Sequence, residues 1–422
     1  MLLLYIFNLF ITIKCVIKLH FKKKYNNLEN NIDYYDYICE NDLITEISIG
    51  NPIQKIPVSI KYDSESFYIT NVISKGRFNY KNSKSFNSNF SKIDFSVLNE
   101  GIKEGCIAKD NINLSFKKKL KIKEEEISDI YFLYINEPDS SIINLGSIGL
   151  YYKEYSNYKN LNFVIQLKQR KLINNYGFTF EFINNNEGDF YLGEYPHEYN
   201  NSYYDNLDFY YTKTSFSNMW FSTFTNVSYG NLITTYGNVF YLNPSLGGIK
   251  ASRFLKSTID TSFFFNLIYK EQKCKEINKK SYSYYICDSD IDITKFQNLS
   301  FYHHDMNYTF ILTYQDIFEL INNKLYCKLL FPNEMSSTWY LGYPFLKKYK
   351  FTFDQDKKIF GFYIKIKQQK YNIFNLTNIL IVIFILLIII LVYISFKYFK
   401  MKPRRIRANE LEENIDYLPI NS

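Results

Sequence analysis

Alternating polar and apolar positions near the start of the chain predict two β-strands joined by a turn. The alternation covers residues 45–49, and a second run with β-branched residues covers residues 55–62. A Gly-Asn-Pro sequence at 50–52 separates the two runs, as turn residues do. Asp63 follows the second run and begins a short polar loop. We therefore expect a strand, a turn, a second strand and then a carboxylate at the strand end.

Short runs of the same kind continue along the chain and predict a mainly β body. These predicted strands are residues 93–97, 106–114, 177–182, 226–232 and 237–242, and a helix-like stretch covers 164–173. The chain has 422 residues, which is long enough for two packed lobes.

Apolar segments at both ends of the chain indicate the secretory pathway. The run from Leu2 to Ile13 is too short to cross a membrane comfortably and predicts a signal peptide over residues 1–20. A short N-terminal anchor is the alternative, because no Lys or Arg precedes the run and no small-residue cleavage site follows it.

Residues 379–396 carry no charge and have the length of a transmembrane helix. Six basic residues follow: Lys397, Lys400, Lys402, Arg404, Arg405 and Arg407. Because basic residues favour the cytosolic side, we predict a cytosolic tail over residues 397–422. The expected topology is single-pass type I, in a secretory-pathway or cell-surface membrane, with a lumenal or extracellular body.

Composition adds little to this picture but excludes one class of partner. The formal net charge is +8, and the basic residues are scattered along the chain except near its two ends. We therefore expect no nucleic acid partner. Five of the six cysteines follow the predicted signal peptide, and their odd number leaves at least one outside any intrachain bridge. Sequons that permit N-glycosylation occur at Asn89, Asn113, Asn200, Asn226, Asn298, Asn307 and Asn375.

Several motifs in a fixed order resemble those of the pepsin-like aspartic proteases (plasmepsin- and cathepsin D-like). They are the Ile-Gly-x-Pro-x-Gln turn with the loop after it, a Gly-containing hairpin at 98–105, Leu-Gly-Ser-Ile-Gly-Leu at 145–150, the strand at 188–194, an aromatic pair at 220–221, a second loop at 241–247, and a Trp-Tyr-Leu-Gly segment from Trp339. The resemblance covers about residues 40–366. It implies an all-β, bilobal pepsin-like fold, with an N-terminal lobe at 40–205 and a C-terminal lobe at 206–366, followed by the one transmembrane helix.

The resemblance also implies a site between the lobes, built from two Asp-Thr-Gly loops. Asp63 matches the first catalytic aspartate, and Asn243 stands at the second, where the family has Asp. The expected binding cleft is lined by Ser64, Glu65, Ser66, Leu98, Gly101, Pro244 and Ser245. Leu98 matches the family's flap tyrosine, Glu65 and Ser245 match glycines, and Pro244 matches a threonine but has no N–H to donate.

The replacement of the second aspartate decides the expected chemistry. Aspartic proteolysis needs two carboxylates that share one proton, one acting as base on water and the other as acid. An amide cannot take either part, so Asp63 with Asn243 predicts an inactive pseudoprotease. We expect such a protein to bind a peptide or protein partner in its cleft. The short stretch before the first strand fits this reading, since family zymogens carry a longer blocking segment.

Two other functions remain open at this point. The first is an active aspartic endopeptidase that pairs Asp63 with a displaced carboxylate, either Asp260 or Glu65. Asp260 lies further from Trp220 than the family spacing allows, and Glu65 would crowd a space that glycine normally leaves. The second is a purely structural lumenal adhesin, which no separate sequence feature supports.

The remaining candidates are a disulfide and a metal site. The resemblance implies a bridge between Cys287 and Cys327, and leaves Cys39, Cys106 and Cys274 unassigned, with Cys39–Cys106 as a guess. The sequence His303-His304-Asp305 could ligate a metal, but adjacent residues of a strand point to opposite faces. We therefore expect no metal and no cofactor.

Overall fold

A computed structural model of the protein describes residues 16–23, 33–39, 42–62, 64–71, 78–94, 104–118, 121–135, 145–151, 159–214, 220–235, 238–364 and 383–397. Three of the predicted site residues, Asp63, Leu98 and Gly101, lie outside the described residues. The chain divides into two compact units, residues 1–367 and 368–422.

The body is built mainly of β-strands, which confirms the β part of the predicted fold class. In its first half they are β1 (Val16–Lys23), β2 (Leu43–Ile49), β3 (Gln54–Lys61), β4 (Tyr68–Thr70), β5 (Asn87–Ser88), β6 (Ile93–Asp94), β7 (Glu104–Lys118), β8 (Lys121–Ile135), β9 (Gly146–Gly149), β10 (Gly177–Phe182), β11 (Glu187–Leu192) and β12 (Phe209–Lys213). In its second half they are β13 (Phe221–Thr223), β14 (Asn226–Tyr229), β15 (Leu232–Thr234), β16 (Val239–Leu242), β17 (Ile249–Lys250), β18 (Cys274–Asn278), β19 (Tyr282–Asp288), β20 (Leu299–His303), β21 (Tyr308–Leu312), β22 (Phe318–Ile321), β23 (Lys324–Cys327), β24 (Leu329–Pro332), β25 (Trp339–Leu341), β26 (Thr352–Asp354) and β27 (Ile359–Tyr363).

Helices are short and connect the strands. They are α1 (Tyr34–Cys39), α2 (Phe163–Gln169), α3 (Pro196–Tyr199), α4 (Arg253–Ile259), α5 (Phe265–Tyr269), α6 (Tyr314–Ile317) and α7 (Tyr343–Tyr349), with 3₁₀ turns at Tyr80–Asn82, Lys159–Leu161, Asn206–Asp208 and Ile293–Lys295 and a π-turn at Asp260–Phe264.

One large sheet joins the two halves of the body. It has 14 strands in the order β12-β27-β26-β10-β11-β1-β2-β3-β9-β4-β8-β7-β5, with β6 paired to β7. The last two strands of the body, β26 and β27, therefore return to the sheet of the first half. The second half adds a nine-stranded sheet, in which β16, β25, β17 and β24 are neighbours, and a four-stranded sheet.

The alternation seen in the sequence explains β2, the first strand of the hairpin that leads to the first loop. In β2, Leu43, Thr45, Ile47 and Ile49 are buried, and the residues between them are partly or fully exposed. A strand whose side chains alternate faces can cover a core on one side only. The antiparallel pairing of β2 with β3, from Leu43 opposite Ile60 to Ile49 opposite Gln54, confirms the predicted hairpin.

The strand β1 overlaps the segment predicted as a signal peptide. It pairs antiparallel with β11 from Ile17 to Lys22, and its last three residues pair with β2. Ile17 and Phe21 are fully buried. Cleavage after residue 20 would divide this strand, and the signal peptide stays a prediction.

The predicted Cys287–Cys327 disulfide is wrong. Cys287 is bonded to Cys274, its neighbour across the β18–β19 hairpin, with 4.0 Å between the two Cα atoms. On the other side of β19, Leu325 rather than Cys327 lies opposite Cys287. Cys327 is a buried thiol, and burial raises its pKa to about 12. Cys106 is also a buried thiol, which excludes the guessed Cys39–Cys106 bridge.

We expect the double substitution Cys274→Ala/Cys287→Ala to lower the free energy of unfolding by about 3 kcal/mol, because the bridge closes a loop with a sequence separation of 13. Urea unfolding without reductant measures this loss. The matched control is Cys327→Ala, which removes one buried sulfur and should cost only about 1 kcal/mol. Reductant should destabilise the wild type and leave the double variant unchanged. Equal losses for the control and the double variant would contradict the Cys274–Cys287 bridge.

The second unit contributes one described element, a helix over residues 383–397 whose apolar side chains are exposed. Among the described residues, no helix combines the length and the apolarity needed to cross a bilayer. The predicted span starts at residue 379, ahead of the described part of this unit.

Candidate functional site

The first loop of the candidate site follows β3 and is held by the strand β9, which runs parallel to β3. Lys61 at the end of β3 pairs with Gly149, and its carbonyl accepts the N–H of Leu150 at 2.8 Å. Beyond it, Ser64 O accepts the N–H of Tyr151 at 2.8 Å, and Ser66 O accepts the N–H of Gly149 at 3.1 Å. The loop backbone is therefore tied to the strand beneath it by three hydrogen bonds.

Gly149 allows this close approach. A Cβ atom at this position would lie 2.6 Å from Ser64 O and from Ser66 N, both backbone atoms. Real Cβ atoms do not come so close to other atoms, so only glycine fits under the first loop.

Asn162 supports the same loop from below and was missed by the sequence analysis. Its side-chain nitrogen donates to the carbonyls of Glu65 at 3.0 Å, Gly149 at 3.2 Å and Tyr151 at 3.0 Å. Its side-chain oxygen accepts the N–H of Ile165 and caps α2. An Asn just before the predicted helix at 164–173 is a typical N-cap residue, so its capping role could have been predicted from the sequence. Its contact with the loop could not, because the two segments are distant in the chain.

The second loop follows β16 and repeats this arrangement with β25. Asn243 donates its N–H to Leu341 O at 3.0 Å, and its carbonyl accepts the N–H of Leu246 at 3.2 Å. Its side-chain oxygen accepts the N–H of Ser245 at 2.9 Å. The Asn243 side chain is thus used in holding its own loop, as Asn side chains are in turns.

Gly342 lies beneath the second loop as Gly149 lies beneath the first. A Cβ atom here would lie 2.2 Å from Gly248 O and 2.3 Å from Leu246 O. Tyr343, the next residue, donates its N–H to Leu246 O at 2.7 Å. Each half of the body therefore has a loop after a strand, and a second strand crosses this loop with a glycine at its end (Gly149 in β9) or directly after it (Gly342 after β25).

Comparison with known proteins identifies this arrangement. The family model "Eukaryotic aspartyl protease" matches residues 42–363, which is most of the chain. The chain belongs to the eukaryotic aspartyl protease family.

Solved structures agree with the family at the level of the fold. The chain is similar to conglutin gamma, described as a unique basic 7S globulin from lupine seeds, with a TM-score of 0.59 and 10% sequence identity, over 83% of this chain and 95% of that one. At this identity the likeness shows the pepsin-like fold alone. The comparison with curated proteins gives no match.

Asp260, one of the two alternative catalytic carboxylates, is hydrogen-bonded to residues outside the two loops. It lies in the π-turn after α4, where it accepts a hydrogen bond from Lys256 Nζ at 2.5 Å and another from the Tyr285 hydroxyl. Burial first, and then this bond to Asp260, raise the pKa of Tyr285. These contacts give Asp260 a structural role in packing α4 against β19.

Glu65, the other alternative, lies in the first loop and is partly buried. Burial and then the charge of Glu65 raise the pKa of Tyr151, which places the carboxylate near this tyrosine. The carbonyl of Glu65 is held by Asn162.

The two histidines considered as metal ligands lie in different surroundings, because β20 ends at His303 and His304 belongs to the turn after it. His303 is buried and its Nε2 lies 2.9 Å from Ser222 Oγ, whereas the side chain of His304 is 80% exposed. Burial lowers the pKa of His303, so it is a neutral core residue at neutral pH. No cluster of three potential metal ligands occurs in the described parts of the chain.

The helix α1, between β1 and β2, contacts the chain just after the second loop. Ile38 O in α1 accepts the N–H of Gly248 at 3.0 Å. Tyr34, Tyr37 and Ile38 pack with a group of second-half residues, namely Leu246, Tyr284 and Leu330. The short stretch ahead of β2 therefore covers part of the second loop, which the sequence analysis did not predict.

Tyr343 stands where the family pattern has an aspartate, and it links the second loop to the first half of the body. Its hydroxyl donates to Asn185 Oδ1 at 2.7 Å and also lies 3.1 Å from Asn184 O, in the turn between β10 and β11. Lys23 Nζ lies 3.2 Å from the centre of the Tyr343 ring. Burial, and then the neighbouring Lys328, lower the pKa of Lys23.

Proposed function

We propose that this chain is a catalytically inactive member of the eukaryotic aspartyl protease family, anchored in a membrane, that binds a peptide or protein in the cleft between its lobes. The observation that carries the proposal is Asn243 at the second catalytic position. Its side-chain oxygen accepts the N–H of Ser245, and its backbone is fixed to Leu341 above Gly342. The side-chain amide of Asn243 therefore helps to hold the loop, and an amide neither donates nor accepts a proton in peptide hydrolysis.

The chemistry of the family explains why an amide at this position removes activity. Two adjacent carboxylates repel each other when both are ionised, so one keeps its proton and the pair works as acid and base. A carboxamide shares no proton with a neighbour. The loss of one member of a catalytic unit costs several powers of ten in rate.

A retained fold with an altered centre supports binding rather than hydrolysis as the role of the cleft. The glycines beneath both loops and the Asn162 contacts preserve the loop geometry without the second acid. The ligand class we propose is therefore a peptide or an extended segment of a protein, the kind of ligand that this family's cleft takes.

A peptidase assay on purified full-length protein in detergent, from acidic to neutral pH and with a pepstatin-like inhibitor, tests the inactivity. We expect no inhibitor-sensitive cleavage of mixed peptide substrates. The variants Asp63→Ala and Asp260→Ala serve as controls. Cleavage that the inhibitor blocks, and that either variant loses, would establish the alternative, an active endopeptidase with a displaced carboxylate.

The membrane anchor is tested by extraction of cell membranes at alkaline pH. We expect the full-length chain to remain in the membrane pellet, because residues 379–396 are uncharged and long enough to span a bilayer. A chain that ends before residue 379 should be released. Retention of the truncated chain would place the anchor elsewhere, for example at the N-terminus.

A further inference from the structure

The two loops of the site can be aligned with each other by the pairing of the strands beneath them. In the first half, Ile60 pairs with Ile148, and the next pair is Lys61 with Gly149. In the second half, Leu242 pairs with Leu341. The next residues are Asn243 and Gly342, and the Asn243 N–H donates to Leu341 O as the parallel pairing requires. Lys61 and Asn243 therefore have the same register relative to Gly149 and Gly342, respectively.

A second pairing gives the same alignment. Beyond each loop the chain pairs antiparallel with β9 or β25: Tyr68 lies opposite Ser147, and Lys250 lies opposite Tyr340. Ser147 and Tyr340 each precede their glycine by two residues. Tyr68 follows Lys61 by seven residues, and Lys250 follows Asn243 by seven residues.

The close contacts of the two glycines agree as well. Gly149 faces the carbonyl of Ser64, and Gly342 faces the carbonyl of Leu246. Each of these carbonyls belongs to the third residue after Lys61 or Asn243, respectively. Counted from Asp63 instead, every one of these correspondences would be displaced by two residues.

From these registers we infer that Lys61, and not Asp63, occupies the first catalytic position opposite Asn243. This inference rests on the proposed function and deepens it. Lys61 Nζ lies 2.6 Å from Asp42 Oδ1, and both side chains are partly buried. The centre then holds an ammonium group and a carboxamide, with no carboxylate at either catalytic position, and Asp63 matches Ser245 in the second loop.

A short stretch of chain connects the surroundings of the two loops. Ile38 O in α1 is bonded to Gly248 N, just after the second loop, and Asp42 is paired with Lys61 at the first. The Cα atoms of Ile38 and Asp42, four residues apart, are separated by at most about 14 Å. Because the family's fold brings both catalytic positions into one site, a charge introduced at Asn243 should be felt by the group that faces it.

The substitution Asn243→Asp decides which group this is. With Lys61 opposite, the ammonium lowers the pKa of the new carboxyl below its unfolded value of about 4. The gain in stability is then present above that pH and lost as pH falls. The melting temperature of the variant, relative to wild type, should rise by about 2 °C between acidic and neutral pH. With Asp63 opposite, the two carboxylates repel each other and the relative melting temperature falls as pH rises.

Two further variants in the Asn243→Asp background assign the effect to one residue. Lys61→Met should abolish the rise with pH, and Asp63→Asn should leave it unchanged. Each double variant is compared with its own single variant, Lys61→Met or Asp63→Asn, because Lys61→Met also removes the ion-pair partner of Asp42. Asp42 and Glu65 then have the same surroundings in both members of each comparison, apart from residue 243. A fall with rising pH, no dependence on pH, or a rise that Asp63→Asn removes would each overturn the assignment. Peptide cleavage by the wild type would refute the proposed inactivity without changing this electrostatic result.

Discussion

Gly342→Ala is expected to lower the free energy of unfolding by about 3 kcal/mol or more, or to prevent folding. A Cβ atom would lie 2.2 Å from Gly248 O and 2.3 Å from Leu246 O, and the next nearest atom, the Cβ of Leu246, is at 2.8 Å. Backbone atoms cannot move aside as a flexible side chain can, so the loop or the strand β25 must shift. Such overpacking in a fixed core is strongly destabilising. Urea unfolding of the purified variant measures the loss.

A glycine with more room provides the matched control. At Gly177 the nearest atom to an added Cβ would be Phe353 O at 3.3 Å, which requires only a small adjustment. Gly177→Ala should therefore change the free energy of unfolding by less than about 1 kcal/mol. If the two variants were equally stable, the close crossing beneath the second loop would be refuted.

Asn162→Ala is expected to cost about 3 kcal/mol. The side chain is buried, with 1% exposure, and its nitrogen is shared by the carbonyls of Glu65, Gly149 and Tyr151. Its oxygen also accepts the Tyr176 hydroxyl at 3.0 Å. Removing the side chain leaves several buried polar groups without this partner, and each such group costs about 1–3 kcal/mol. Chemical denaturation, with fluorescence as the readout, measures the effect.

Asn79→Ala is the matched control for the loss of a capping asparagine. Asn79 accepts the N–H of Lys81 and caps an exposed 3₁₀ turn, so its removal should cost about 1 kcal/mol or less. Asn162→Asp adds a second test, because it keeps the oxygen that caps α2 but loses the donors to the loop. It should be nearly as unstable as Asn162→Ala. Full stability of Asn162→Asp would show that the contacts with the carbonyls carry no weight.

Local pattern was sufficient to predict the strands that lead into the site. The alternation at residues 45–49 became the strand Leu43–Ile49, and the run at 55–62 became Gln54–Lys61. These predictions succeed because successive side chains of a strand point to opposite faces, so a half-buried strand alternates apolar and polar residues in the sequence. The order of the motifs likewise predicted the family, and the family model that matches residues 42–363 confirms it.

The disulfide was predicted wrongly because pairing across strands is not visible in one sequence. Cys274 faces Cys287 only because the β18–β19 hairpin has a particular register, and a shift of register changes every facing pair. The same limit applies to Asn162, whose contact with the carbonyl of Glu65 joins residues far apart in the chain. It also applies to α1, whose carbonyl at Ile38 meets Gly248 in the second half.

The sequence by itself determined the fold class, the family resemblance and the presence of an amide at position 243, because these depend on residue type and local order. Only the tertiary structure decided which cysteines pair, how Asn162 and the two glycines hold the loops, and which first-half residue shares the strand register of Asn243. The reason is the same in each case. Strand register and close backbone contacts are set by the packing of distant segments, and in the first loop this packing places Lys61 above Gly149.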